Sequence, residues 1–503
     1  MSAPAAPAAG DDTDDLATLA KGGRTNTLGF VVRLIARIPF LVIATRLYGA
    51  EALGRFASAL VLIEIVALVC SLGEKRGLAQ RLSEGAGENR AAEANLVYDG
   101  ILLALGYSAV AAAVLLVFPE PMFPNGMNSQ LDIWLVATIP AFAVTEILLA
   151  AQAYRFDIAT TVRARAVIEP WTISIGAGAF FFIPATRESG LALAYIASIY
   201  AGLLTALWPF LRTYGLPRAW RPRGMLKMSA RAFPLVGADA IERGTRLLDI
   251  FILGLFAPPS AVGIYYAAQQ IASLPQKLKT SFEPILSPVI TKNLRIGNME
   301  AIAAQVRQVG FWIIAVQLGI ALVLGVPGEA VMGLWGPDYV AGTAALALLL
   351  AAEVAASMAV VSESVLVYIA RKRNLAISVA IIALQAVLTI AFIELARRMG
   401  YGRGFQAAGA AGALLIALAT SSLVKALLLK RLLAAPVSNW RWALVHAAAL
   451  AVVVGYAFTF LPEWIELLLG VPAVLATYAA VIWRRGFREE DKVLFRKQVE
   501  RQD

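Results

Sequence analysis

Long apolar runs separated by short polar connections follow one another along almost the whole chain. A helix needs about 20 mostly apolar residues to cross the roughly 30 Å of hydrocarbon in a bilayer. The segments that meet this requirement are 26–48, 52–73, 95–118, 131–154, 166–184, 191–211, 229–256, 261–288, 305–327, 342–370, 374–397, 405–430, 440–461 and 464–484. The pattern predicts an all-α polytopic membrane protein with about 14 transmembrane helices, of which the eighth and tenth are long enough to kink or tilt.

Composition agrees with this class. Apolar side chains make up 59% of the 503 residues and charged ones only 16%, and the mean hydropathy is +0.71, outside the range of soluble globular proteins. One cysteine, Cys70, and one histidine, His446, exclude a disulfide framework and a zinc or iron–sulfur site of the usual kind. The sequence therefore predicts neither a metal nor a cofactor.

Charge along the chain predicts an orientation. The net charge of +10 comes from short basic clusters in alternate connections, the pattern of a membrane protein rather than of a nucleic-acid binder. The connections that lack Lys and Arg are 119–130, 257–261, 327–342 and 462–466. Since Lys and Arg accumulate on the cytoplasmic side, we expect both termini in the cytoplasm, with residues 1–24 as a disordered tail. Residues 397–404 are an exception, because they carry three arginines although the alternation places them outside.

A weak internal repeat suggests the domain organisation. A shift of 209 residues lays "ALGRFASA" (52–59) on "AVGIYYAA" (261–268) and Arg37 on Arg246. The longest basic connection falls where two six-helix halves would join. We therefore expect parallel repeats with a cavity between them. The expected division is an N-lobe at 25–228, a C-lobe at 229–431, and two further helices with a basic cytoplasmic tail at 432–503.

Two stretches resemble a known family. "LYGAEALGRFASALVLIEIVALVCSLG" (47–73) and "LWGPDYVAGTAALALLL" (334–350) resemble the Wzx-type polysaccharide flippases of the multidrug/oligolipid/polysaccharide exporter superfamily, relatives of the MATE transporters. The resemblance implies two six-helix lobes in a pseudo-twofold arrangement, plus two C-terminal helices. It also implies alternating access that moves a lipid-linked oligosaccharide across the bacterial inner membrane.

Arginines inside the first span are candidates for substrate binding. Arg33 and Arg37 are four residues apart and share a helix face, and Arg37 lies about 15 Å into the span. An arginine at the bilayer centre costs about 2.5–3.5 kcal/mol, so both should face a wet cavity or an anionic partner. Arg46, near the outer end, is expected to reach the lipid headgroups instead.

Other charged residues in the spans have two interpretations. In the seventh span a helix would place Asp239, Glu242, Arg243, Arg246 and Asp249 on one stripe about 120° wide. Lys277 and Lys279 fall toward the cytoplasmic end of the eighth span, and Glu64, Glu146 and Glu353 stand as isolated acids in the second, fourth and tenth. The acids could carry a proton or sodium ion, or could simply pair within the protein; the lysines could contact substrate or reach the membrane surface.

The preferred hypothesis is a transporter rather than an enzyme. Arg33, Arg37, Arg246, Lys277 and Lys279 would hold the pyrophosphate of an undecaprenyl-linked oligosaccharide destined for O-antigen, capsule or exopolysaccharide. Glu64, Glu146, Asp239, Glu242, Asp249 and Glu353 are the candidates for ion coupling or cavity pairing. Expected partners are this glycan lipid, the membrane, a proton or sodium ion, and the polysaccharide polymerase and chain-length machinery.

Two other functions remain open. A proton- or sodium-coupled exporter of small cationic compounds would present acids rather than arginines to its substrate. A membrane-embedded polymerase or ligase would need a long outward loop with catalytic residues, and no predicted outward loop exceeds about 16 residues. The chain also has no G-x-x-x-x-G-K-[ST] phosphate loop to bind a nucleotide.

Overall fold

In the computed structural model, the chain is described over residues 35–84, 90–217, 229–230, 236, 244, 246–280, 290–291 and 293–487. The regular secondary structure in these ranges is helical, with no strand. This confirms the all-α class. The helices are α1 (35–48), α2 (Gly49–Cys70), α3 (Glu74–Glu84), α4 (Arg90–Val117), α5 (Gln130–Tyr154), α6 (158–182), α7 (Gly190–Tyr214), α8 (246–256), α9 (Pro259–Thr280), α10 (Met299–Gly325), α11 (Gly328–Gly333), α12 (Pro337–Ser357), α13 (Val360–Ile369), α14 (Arg371–Arg398), α15 (Arg403–Leu433), α16 (Trp442–Phe458) and α17 (Glu463–Gly486).

Many of these helices are built to cross a membrane. Within the described ranges, nine helical stretches are long and apolar enough to do so, and α13 and α16 are shorter apolar helices. Large apolar side chains are exposed along α14 and α16, for example Val387 and Val453, as expected where helices face lipid. The chain is a multi-pass membrane protein. The total of fourteen spans stays a prediction.

The chain folds as two compact units, Met1–Gly244 and Thr245–Asp503, called here the N-unit and the C-unit. The predicted boundary at 228/229 borders residues outside the described ranges and stays a prediction. Both units start their fourth long helix with a 3₁₀ segment, Gln130–Ala137 in α5 and Pro337–Gly342 in α12. The repeat suggested by the sequence stays a prediction.

Local sequence accounts for several helix boundaries. Gly49, at the junction of α1 and α2, has φ 80° and ψ 176°, in the left-handed region that favours glycine, and it divides the helical stretch Ile35–Cys70 into two helices. Ser129 and Asp132 form a capping box at the start of α5. Asp157 and Asn298 accept hydrogen bonds from backbone N–H groups at the starts of α6 and α10.

The tenth predicted span, 342–370, is two helices. α12 ends at Ser357 and α13 begins at Val360. The Met358 carbonyl oxygen accepts a hydrogen bond from Asn439 Nδ2 at 2.9 Å, and the Ala355 carbonyl oxygen accepts one from Ser422 Oγ at 2.6 Å. Polar side chains from elsewhere in the C-unit thus satisfy backbone groups at the break, which hydrocarbon could not do.

The arginines of the 397–404 connection form ion pairs with acidic residues. Arg397 and Arg398 both contact Glu394, at 2.5 and 2.8 Å. Arg403 contacts Asp338 at 2.8 Å. Since Asp338 belongs to the Lys- and Arg-free connection 327–342, the two connections lie at the same end of the C-unit. The alternation of basic and neutral connections along the chain predicts the same end for residues 397–404.

Candidate functional site

Several predicted site residues lie outside the described ranges. Arg33, Asp239, Glu242 and the neighbouring Arg243 fall there entirely. Lys277 and Lys279 belong to α9, but their side chains are not among the described ones. Their assignment to pyrophosphate binding or ion coupling stays a prediction.

Arg37 is exposed on α1. It precedes the end of α1 at Tyr48 by eleven residues, which corresponds to about 17 Å of helix, close to half of a bilayer's hydrocarbon thickness. The neighbouring Ala36 and Phe40 are buried, so α1 packs through another face and leaves the guanidinium outside the N-unit core. Arg46 is exposed as well, at the end of the same helix. Arg37 is therefore exposed about halfway along the length that a span needs, and its role in anion binding stays a prediction.

Arg246 and Asp249 share α8 in the C-unit. Arg246 is half-buried, and its backbone carbonyl oxygen accepts a hydrogen bond from Gln269 Nε2 at 3.1 Å. Asp249 is fully buried. Its carboxylate accepts hydrogen bonds from the Tyr265 hydroxyl and, at 2.8 Å, from the backbone N–H of Ile250. The described part of the stripe predicted for this span thus includes one half-buried cation and one buried acid.

Glu353 is a second buried acid of the C-unit. It follows the start of the α-helical part of α12, at Thr343, by ten residues, or about 15 Å. Glu353 is only 8% exposed. Its negative charge acts on both Asp249 and Tyr265. The fold therefore brings Asp249 and Glu353, predicted in separate spans, into one electrostatic neighbourhood. Glu64, by contrast, is half-buried on α2, and its role in ion coupling stays a prediction.

The prediction that Glu146 is an isolated acid was wrong. Its Oε1 contacts the Arg165 guanidinium at 2.5 Å, and a second guanidinium nitrogen contacts Glu169 Oε1 at 2.8 Å. Arg165 was also misplaced, since the predicted span 166–184 leaves it in the connection before that span. α6 begins at residue 158, so Arg165 is a helical residue seven positions in. The carboxylates of Glu146 and Glu169 compensate the positive charge of Arg165. A prediction from hydropathy alone does not place such a charge in a membrane span.

Arg165 and Glu169 are residues that the sequence reasoning missed. Their spacing of four residues is the ion-pair spacing of a helix and was a usable signal. The Arg165 side chain is only 12% exposed, and its guanidinium carbon lies 4.7 Å from the centre of the Phe142 ring, within cation–π range. The charge of Arg165 is thus enclosed by two acids and an aromatic face.

The two units arrange their buried charges differently. In the described part of the N-unit, acids in the fourth and fifth long helices surround one arginine. In the described part of the C-unit, a buried aspartate, Asp249, accepts a hydrogen bond from a tyrosine, Tyr265. Among the described residues no group of three or more His, Cys, Asp or Glu side chains is placed to hold a metal ion.

Comparison with known proteins reveals similarity at the level of fold. No family model and no curated protein sequence matches the chain. A solved structure of the lipid II flippase MurJ in an inward closed conformation has a TM-score of 0.71 at 12% identity, covering 93% of this chain and 100% of that one. Inward-facing and outward-facing structures of a multidrug resistance MATE family transporter of the MOP superfamily have TM-scores of 0.65 and 0.56 at 15% identity. They cover 80% and 83% of this chain, and 98% and 95% of theirs. The chain therefore has the fold that the lipid II flippase MurJ shares with MATE transporters.

Proposed function

We propose that this protein flips an undecaprenyl-pyrophosphate-linked oligosaccharide across the bacterial inner membrane by alternating access, for the synthesis of a surface polysaccharide. One observation carries the proposal. Arg37 is exposed at about half the depth of a bilayer. Exposed to lipid at that depth, an arginine would cost about 2.5–3.5 kcal/mol, so its position is favourable where water or an anionic ligand reaches it.

Chemistry favours a diphosphate as that ligand. A guanidinium presents a planar fork of donors that binds phosphate oxygens in pairs and stays charged at any physiological pH. Arg246, half-buried on α8, is the second described candidate, with Arg33, Lys277 and Lys279 as further proposed members. The fold shared with a lipid II flippase supports a lipid-linked substrate.

The membrane potential could supply part of the driving force. When the inside of the membrane is negative, moving a negative charge outward is favourable by about 2.3 kcal/mol per charge per 100 mV. A diphosphate carries more than one such charge, so export needs no nucleotide hydrolysis if accompanying cations do not cancel that charge. The proposal places both termini in the cytoplasm and assumes that a polymerase and its chain-length partners use the exported glycan.

The first experiment measures lipid-linked oligosaccharide in a strain depleted of this protein, with the leaflet of the sugar determined by an impermeant probe. We expect accumulation on the inner leaflet, relieved by the parent protein but not by Arg37→Ala or Arg246→Ala. Arg37→Lys should relieve it in part, because it keeps the charge but not the fork. Arg46→Ala is the matched control, since Arg46 is exposed at the end of the same helix and should behave like the parent. Equal export by Arg37→Ala, inserted at normal levels, would contradict the arginine's role.

The acids of the C-unit favour a second candidate, an ion-coupled exporter of small cationic compounds. Asp249 and Glu353 are buried acids of the C-unit, and a buried acid suits a cation or a proton. An unchanged lipid pool in the depleted strain, together with increased sensitivity to cationic drugs, would support this function. Asp249→Asn should then reproduce the drug sensitivity.

A further inference from the structure

One end of the hairpin formed by α14 and α15 in the C-unit carries five exposed cations. They are Arg371, Lys372 and Arg373 at the start of α14 and Lys430 and Arg431 in the last turn of α15. We call these five residues the basic end. The two helices are joined by the short connection 399–402 and pack against each other, so they run antiparallel and the start of α14 lies beside the end of α15.

Helix lengths place the basic end at the membrane surface. From Arg371 to Arg398, α14 rises by about 40 Å, and from Arg403 to Lys430, α15 rises by the same distance. A bilayer is about 40–45 Å thick when its headgroup regions are included. The cations of the two helices therefore lie at one level, and the hairpin is long enough for both of its ends to reach lipid headgroups.

The two ends of the hairpin differ in how their cations are compensated. At the opposite end, the three arginines of the 397–404 connection contact Glu394 or Asp338. In the part of the chain that the structure describes, none of the five residues of the basic end forms an ion pair. Glu363, an acid of the adjacent α13, contacts the buried Lys425 at 2.9 Å instead. Among the described residues, the positive charges of the basic end thus have no counter-ion.

Toward the middle of the membrane, both helices continue from the basic end with exposed apolar side chains. On α14, the exposed Leu375 and Val379 lie three and seven positions after Lys372, on the same helix face. On α15, the exposed Leu427 lies four positions before Arg431, also on one face. A phospholipid presents the complementary order, with a phosphate at the membrane surface and apolar chains next to it.

We propose that the basic end binds the headgroup of an anionic phospholipid, with cations of both helices around the phosphate and the acyl chains along the exposed apolar side chains. The guanidinium groups supply paired donors to phosphate oxygens, and the lysines supply point charges. Basic clusters between transmembrane helices at a membrane surface are typical binding sites for anionic lipid headgroups. This interaction is independent of the substrate that the protein transports.

The general enrichment of Lys and Arg at one membrane surface accounts for the presence of these cations. It does not account for the contrast within the hairpin, where one end pairs its arginines with acids and the other end leaves its cations exposed. Nucleic acid and acidic proteins also bind exposed cations, but neither would use the apolar side chains that continue into the membrane. Position, charge and apolar surface together favour a lipid.

The test is native mass spectrometry of the purified full-length protein in detergent micelles, titrated with phosphatidylglycerol or with zwitterionic phosphatidylcholine of the same acyl chains. We expect the parent to bind phosphatidylglycerol more tightly than phosphatidylcholine by about tenfold or more. A triple variant with Arg371→Gln, Lys372→Gln and Arg373→Gln should lose this preference. Lys430→Gln combined with Arg431→Gln should weaken it too, because cations of both helices surround the phosphate.

The matched control is the triple variant Arg397→Gln, Arg398→Gln and Arg403→Gln. It removes the same number of positive charges from the opposite end of the same hairpin, where the arginines already contact acids. It should keep the preference of the parent. Loss of the preference in this control as well would overturn the assignment to the basic end, and so would a parent-like preference in the Arg371, Lys372 and Arg373 triple variant.

Two further measurements separate lost charge from lost folding. Arg371→Lys with Arg373→Lys keeps every positive charge and should retain most of the preference. Added salt should weaken the binding of phosphatidylglycerol to the parent and leave that of phosphatidylcholine unchanged, because salt screens exposed charges. This salt series needs no variant. A preference of the parent that does not respond to salt would overturn the proposal.

Discussion

Removal of the Arg165 side chain provides the sharpest test of the buried charge arrangement. In Arg165→Met the two carboxylates keep their buried positions but lose the guanidinium that contacts them at 2.5 and 2.8 Å. Removing one partner of a buried ion pair costs about 3–5 kcal/mol, because the remaining charge is left uncompensated. Since Arg165 serves two glutamates, we expect a loss of stability in that range.

A triple variant separates charge from packing. Combining Arg165→Met with Glu146→Gln and Glu169→Gln removes all three of these charges, and replacing buried ion pairs by uncharged side chains of similar volume is often neutral or stabilising. The triple variant should therefore be more stable than Arg165→Met and close to the parent. The changes are expected to be strongly non-additive, as for residues in direct contact.

The assay is reversible unfolding of the purified protein in mixed micelles with increasing denaturing detergent, followed by the helical circular dichroism signal. Arg398→Met is the control, because its pair with Glu394 is exposed and contributes little. If Arg165→Met unfolded at the same detergent fraction as the parent, compensation of Glu146 and Glu169 by Arg165 would contribute nothing to stability. A triple variant no more stable than the single one would show that packing, rather than charge, dominates.

Three further predictions concern other parts of the fold. Gly202→Ala should destabilise the N-unit by about 1–3 kcal/mol by overpacking, whereas Gly106→Ala, with nothing within 4 Å of its Cβ, should be neutral or slightly stabilising; the same detergent titration compares them. Asn439→Ala should cost about 1–3 kcal/mol, because the backbone carbonyl at the break between α12 and α13 loses its donor, and parent-like unfolding would show that another group satisfies it. In a Cys-free background, Tyr401→Cys should react with an impermeant thiol reagent in intact cells and Lys372→Cys only after permeabilisation. Reaction of both from outside would reject the predicted orientation.

Much of the candidate site was visible in the sequence as residue types, but its pairings were not. The depth of Arg37 was estimated by counting residues along a helix, and the stripe placed Asp249 on the polar face of its span without predicting its burial. The neighbourhood of Asp249 and Glu353 did not, because they lie in spans separated by about 100 residues of sequence. Arg165 was assigned to a loop because linear hydropathy adds up single-residue transfer free energies and treats every arginine as solvated.

The sequence by itself determined the class of the protein, the approximate positions of its membrane helices and the alternation of basic and neutral connections. These properties depend on local sums of hydrophobicity and charge. Only the tertiary structure decided which charges are compensated, through contacts such as Glu146 with Arg165 across 19 residues and Glu363 with Lys425 across 62. It also decided where a span breaks, because Asn439 and Ser422 must be close to satisfy the backbone there. In a medium without water, the cost of a polar group depends on its partners, and partners are set by packing.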